Sequence, residues 1–130
     1  VRGDENGATL VEVLVSLVLI AMGLLSVAPM FISSSQGNAA GADSGVAAAL
    51  AVARMEQLRA TDFDDLTAGG DLASNVTDYH DLANTGFVVR WTIVDNGSPP
   101  GTKTITVRAI ADRQVIGQQK SATLTVLRGR

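Results

Sequence analysis

Six aspartates, Asp62, Asp64, Asp65, Asp71, Asp78 and Asp81, fall within the polar stretch from Thr61 to Asn84. Crowded carboxylates are the raw material of calcium sites and of general acid–base pairs. The Asp-x-Asp/Asn-x-Asp/Asn-Gly loop spacing is absent, however, and calcium needs oxygens that converge in space, which proximity in sequence does not supply. The stretch therefore reads as a solvated connection whose charge shapes a subunit surface. His80 is the only histidine and sits in the same stretch, where an exposed or locally bonded ring is the expectation. There is no cysteine, which removes disulfides, thiolate metal sites and a cysteine nucleophile together. No serine occupies a Gly-x-Ser-x-Gly elbow, and no phosphate-binding glycine loop is present. Catalytic residues, cofactors and metals are thus all expected to be none.

One carboxylate stands in a different setting. Glu12 is the last charged residue before a neutral stretch from Val13 to Ala42, which opens with VLVSLVLIAMGLLSVAPMFI. About 20 such residues cross a bilayer core as a helix, and inside lipid a single span must be helical to satisfy its own backbone. A carboxylate at the edge of that helix is costly unless it is paired or snorkels to the interface. Pro29 removes one backbone donor, so a bend or loosening is expected around residues 25–29, with Gly23 as a second soft point. A buried core helix is the weaker alternative, because so small a domain could hardly surround it. A cleaved secretory signal would run from about Leu10 to Leu25 and exit at Ser26-Val27-Ala28. Against that, Pro29 would follow the cut directly, and in the leader VRGDENG Arg2 is outnumbered by Asp4 and Glu5. The same leader gives little support for orientation from flanking positive charge.

Gly7-Ala8-Thr9-Leu10-Val11-Glu12, followed at once by the apolar run, resembles the signature of the type IV prepilin and pseudopilin superfamily. In that family a membrane peptidase cuts after the leader glycine, and the new terminus is methylated. The resemblance implies that Gly7 ends the leader and Ala8 begins the mature chain, with Thr9, Leu10 and Glu12 at their signature positions. Ala8 departs from the usual phenylalanine. Leader removal would create an amine four residues before Glu12, able to neutralise Glu12 of a neighbouring subunit. Pro29 matches the proline at which pilin helices commonly kink. Residues 47–66, AAALAVARMEQLRATDFDDL, resemble PilV-like minor pilins through Glu-x-Leu-Arg at 56–59 and Phe-Asp-Asp-Leu at 63–66.

The implied partners are the prepilin peptidase, other pilin subunits, the inner-membrane assembly platform, and lipid before assembly. The implied location is the bacterial inner membrane, single-pass, with a cytoplasmic N-terminus and an extracytoplasmic head, and then a pilus or periplasmic pseudopilus. The true leader can begin upstream of Val1. A net charge of -3 and the lack of any Lys/Arg cluster give no sign of a DNA surface, although a few arginines could touch DNA weakly. A minor pilin of a type IV pilus is the first reading and a type II secretion pseudopilin the second. A major pilin is a third. From another class, a single-pass anchored binding domain would need neither Gly7 nor Glu12.

The elements that must position these residues follow from composition. Apolar residues make up 46% of the chain and aromatics 4%, with the apolar content concentrated near the N-terminus. The expected fold is α+β and type IV pilin-like: a long N-terminal transmembrane helix packed at its C-terminal half against a small antiparallel β-sheet. Residues 1–7 form the leader, and 8–32 the transmembrane and assembly helix. Residues 33–60 continue that helix, softened by Gly37, Gly41 and Gly45 at roughly 1 kcal/mol each, with a break between Pro29 and Gly45 as an alternative. From Val46 to Ala60 good helix formers dominate. One face holds Leu50, Ala53, Gln57 and Ala60 and another Ala47, Leu50, Arg54 and Leu58, while Glu56 and Arg59 are spaced to pair on the surface. The head, 61–130, begins with the acidic connection, pinned by Phe63 and Leu66. Alternation predicts three strands, Gly86–Val94, Lys103–Ile110 and Ser121–Leu127. Turns are expected at Asp95–Gly101 and near Gly117, and Trp91 belongs in the core.

Overall fold

The neutral run and the alanine-rich stretch after it join into one helix. In the computed structural model, which describes residues 5–82, 86–97, 101–115 and 117–130, helix α1 runs from Glu5 to Ala60 without interruption. Residues 1–4 of the expected leader, and the tip of the expected turn at 98–100, lie outside the described residues. Pro29 is accommodated inside α1. Just before it, the Ser26 hydroxyl donates to the carbonyls of Met22 at 3.1 Å and Gly23 at 2.8 Å. The glycine-rich section 33–45, linker-like by composition, is helical throughout. Helix propagation from both flanks outweighs the glycine cost, because elongation adds a hydrogen bond per residue whereas a break demands a new nucleus.

The chain divides into two units, one ending at Asn38 and one from Ala39 to Arg130. In the first, the large apolar residues from Leu10 to Ile32 are all exposed. The helix is long and apolar enough to cross a membrane. So continuous an apolar surface calls for lipid or neighbouring helices to cover it.

The second unit has the expected α+β build. Ala47, Ala51, Met55 and Leu58 recur at helical spacing and are buried in one core with the inner face of an antiparallel sheet. Of the two faces read from spacing, the one with Ala47 and Leu58 packs inward, joined by Ala51 and Met55. Ala53, Gln57 and Ala60 are exposed, because three-residue steps drift off the buried stripe.

Three long strands build the sheet: β3 (Phe87–Asn96), β4 (Thr102–Val115) and β5 (Gln118–Gly129). They are the three expected strands, each longer than alternation alone indicated. Two short strands precede them, β1 (Gly69–Gly70) and β2 (His80–Asp81), both paired with β3. At two residues each, they have no period to read. The sheet order is β1-β3-β4-β5, with β2 also on β3. Cross-strand rows Val89↔Ala109↔Ala122, Trp91↔Val107↔Leu124 and Ile93↔Ile105↔Val126 supply the inner face. Trp91 is buried, as its place in the alternation requires. The reversal into β5 uses Gly117 at φ 69°, a left-handed conformation that glycine adopts without a side-chain penalty.

Candidate assembly site

Thr9, Glu12, Val13, Ser16, Leu17 and Ile20 line one shallow groove along α1. Their spacing of three and four places them on one helix face. Glu12 thus sits at the polar end of an exposed apolar stripe, with no ion-pair partner among the described residues. Gly7 and Ala8 belong to the α1 backbone, one turn before Glu12, so an amine created at Ala8 would lie on the same helix side as the carboxylate. Leu10 is exposed on the same helix. The groove presents a carboxylate and an apolar surface along one helix face.

Residues 2–28 match the prokaryotic N-terminal methylation motif. The match spans Gly7, Ala8 and Glu12 and stops one residue short of Pro29. The motif places this N-terminus in the type IV prepilin-like class, which implies processing by a prepilin peptidase and assembly with other pilins. Together with the apolar helix it fits a single-pass inner-membrane protein. Neither the curated proteins nor the solved structures contain a match to the chain. The resemblance of residues 47–66 to PilV-like minor pilins therefore stands on those residues alone.

In the head, two aspartates of the connection have clear local partners. Asp71 accepts from the Ser74 hydroxyl at 2.6 Å and the Ala73 amide at 3.0 Å, and the Ser74 bond above all holds its carboxyl below the usual range. Asp64 takes two bonds from Arg130 Nη2, at 3.0 and 2.9 Å. Among the described residues no group of three or more His, Asp or Glu side chains is gathered as a metal ion requires. His80 is half-buried, with Nδ1 2.7 Å from the Val76 carbonyl. Glu56 and Arg59 pair at 3.2 Å on the exposed side. Leu66 is buried and Phe63 half-buried. Lys103 Nζ donates to the carbonyls of Phe63 at 3.0 Å and Leu66 at 2.6 Å, fastening the start of the connection to β4.

Three arginines were not singled out by sequence reasoning. Arg128 Nη1 donates to the carbonyls of Leu58 at 3.0 Å and Thr61 at 2.6 Å, closing the C-terminal end of α1. Arg130 grips Asp64 as described. Arg113 donates from Nε to Asp43 Oδ2 at 2.8 Å and from Nη2 to Oδ1 at 2.5 Å. Asp43 is only 4% exposed. Those two hydrogen bonds lower its carboxyl below the usual range, against an opposing push from desolvation. One signal could have found Asp43: it stands in four-residue phase with Ala47, Ala51 and Met55. No pattern in the sequence identifies which basic residue reaches it.

Proposed function

We propose that this protein is a structural minor pilin, cut after Gly7, methylated at Ala8 and assembled through α1 into a type IV pilus. The observation that carries the reading is Glu12, placed one turn after the cut site at the head of an exposed apolar helix, within a matched methylation motif. Before assembly lipid covers that helix. In a bundle of parallel helices, the Ala8 amine of one subunit pairs with Glu12 of the next, exchanging lipid contacts for helix contacts and cancelling a charge that is costly in hydrocarbon. The N-terminus faces the cytoplasm and the head lies outside. The protein is not an enzyme but a substrate of the prepilin peptidase.

The choice of minor pilin within the class rests on the pattern at residues 47–66 and the small head. A type II secretion pseudopilin uses the same leader and helix and is the second reading. Genes beside this one would separate the two, because pilus ATPase and minor-pilin genes differ from secretion-channel genes.

Intact mass and N-terminal peptide mapping of protein from the native host's membrane or sheared filament fraction test the proposal. A mature terminus at methylated Ala8 is expected. An uncut chain would mean an ordinary anchored domain, and a start near Pro29 would mean a secreted protein.

A further inference from the structure

From Thr9 onward Asp43 is the first residue of α1 to be buried, and the section of poorest helix formers lies directly before it. From Thr9 to Asn38 every helical residue is exposed, Ala39 and Ala40 are half-buried, and then Asp43, Ala47, Ala51, Met55 and Leu58 are buried in sequence. Residues 33–42, SSSQGNAAGA, combine three serines, an asparagine and two glycines, all poorer helix formers than alanine. Pro29 lies one turn upstream of that section. Residues 33–38 of that section are all exposed. Asp43 is tied, through a planar two-point contact, to a strand residue 70 positions later.

We propose that the Asp43–Arg113 pair is a clasp that stops unwinding of α1 from spreading into the head. Arg113 lies on β4 within a register shift between Ile110 and Gln114, next to Asp112, whose amide donates to the Gly86 carbonyl at 2.8 Å. Both carboxylate oxygens of Asp43 are engaged, so the turn that carries Asp43 comes away only when two charge-assisted bonds break together. Below the clasp, 33–42 is free to unwind under load. Going from 1.5 Å per helical residue to about 3.3 Å extended, those residues would lengthen the subunit by roughly 18 Å while Ala47 to Leu58 stay packed. The inference rests on the filament reading only for the source of the load.

Hydrogen exchange on the full-length protein in detergent micelles reads the clasp without any filament. In Arg113→Ala, amides of 43–50, the turns directly above the clasp, are expected to exchange at least about tenfold faster, while those of 33–42 and of β3 and β4 keep their rates. Arg113→Lys, which keeps the charge but loses the planar grip, falls between. Three results overturn the proposal: unchanged exchange over 43–50, acceleration spread equally through α1 and the sheet, or wild-type exchange over 43–50 already at the unstructured rate. None of these bears on whether Ala8 is the mature terminus, so the clasp and the filament reading fail separately.

Discussion

Gly70 lies against Trp91 with no room for a side chain between them: a Cβ on Gly70 would overlap the Trp91 carbonyl oxygen and meet the Tyr79 ring at 2.8 Å. The contact arises where β1 adds to the edge of β3, with Gly70 opposite Thr92. Tyr79 closes the same corner, its hydroxyl donating to the Thr67 carbonyl at 2.9 Å and its own carbonyl accepting from the Trp91 amide at 3.0 Å. The acidic connection is thereby folded back over the core tryptophan.

Gly70→Ala is therefore expected to cost at least about 2 kcal/mol, combining a backbone clash with a φ of 89°. Gly86→Ala is the matched control. Its φ is 91° but a Cβ there meets nothing within 4 Å, so only the conformational cost of about 1–2 kcal/mol remains. Urea unfolding followed by Trp91 fluorescence measures both. Equal losses for the two variants would show that the close approach to Trp91 costs nothing.

Asp43 sets a direction for the response to acid. Its carboxyl is held low in the folded chain by the hydrogen bonds from Arg113. A depressed folded pKa means the unfolded state binds the proton more readily. The pair's contribution is complete above the unfolded carboxyl range, near pH 4, and is lost as pH falls further through the folded value. Asp71, lowered by Ser74 and Ala73, acts in the same sense. Urea midpoints taken from pH 7 down to pH 2.5 should decline below about pH 4. In Arg113→Ala the midpoint is lower at pH 7 and the decline shallower, because Asp43 no longer has a depressed pKa to lose. A variant with an undiminished acid slope would remove Asp43 from the explanation.

What the sequence revealed and what it hid divide along physical lines. The membrane-competent helix and the three long strands were legible because each is written as a local period or an apolar run. The continuity of α1 through Gly37, Gly41 and Gly45 was only half legible, since local propensity argued for a linker and cooperativity overrode it. The pairs Asp43–Arg113 and Asp64–Arg130, and the hold of Arg128 on Leu58, were not legible at all. Each joins residues more than 60 positions apart, and a basic residue in a strand does not announce its partner. The two short strands stayed hidden for a related reason, as His80 and Gly70 pair with β3 only because the connection folds back over Trp91.

Arg128 completes the end of α1. The last carbonyls of a helix lack internal partners, and a cation there also opposes the negative end of the helix dipole. Arg128→Ala is expected to cost about 1–2 kcal/mol and to speed exchange at residues 58–62 before it affects β4. Arg128→Lys should recover part of the loss, since an ammonium can reach one carbonyl but not span two as a guanidinium does. Exchange at 58–62 that matches wild type in the alanine variant would leave Thr61, whose hydroxyl and amide both donate to the Gln57 carbonyl, as the sufficient cap.

On the proposed function, a change at Glu12 should separate assembly from processing. Glu12→Gln keeps the size and polarity of the side chain and removes the charge that would pair with the Ala8 amine of a neighbour. A residue that only snorkels to the interface would tolerate the change, because glutamine reaches the same headgroup region. If charge pairing drives assembly, methylated Ala8 termini should form as in wild type. The sheared filament yield should nonetheless fall at least about tenfold, the effect of losing roughly 1.4 kcal/mol per contact. Gly7 gives the opposite split: replacing it with a bulky residue should block the cut itself and leave full-length protein in the membrane. Filaments of Glu12→Gln at wild-type yield would leave the apolar face of α1 as the sole driving surface, with Glu12 reduced to an interfacial anchor.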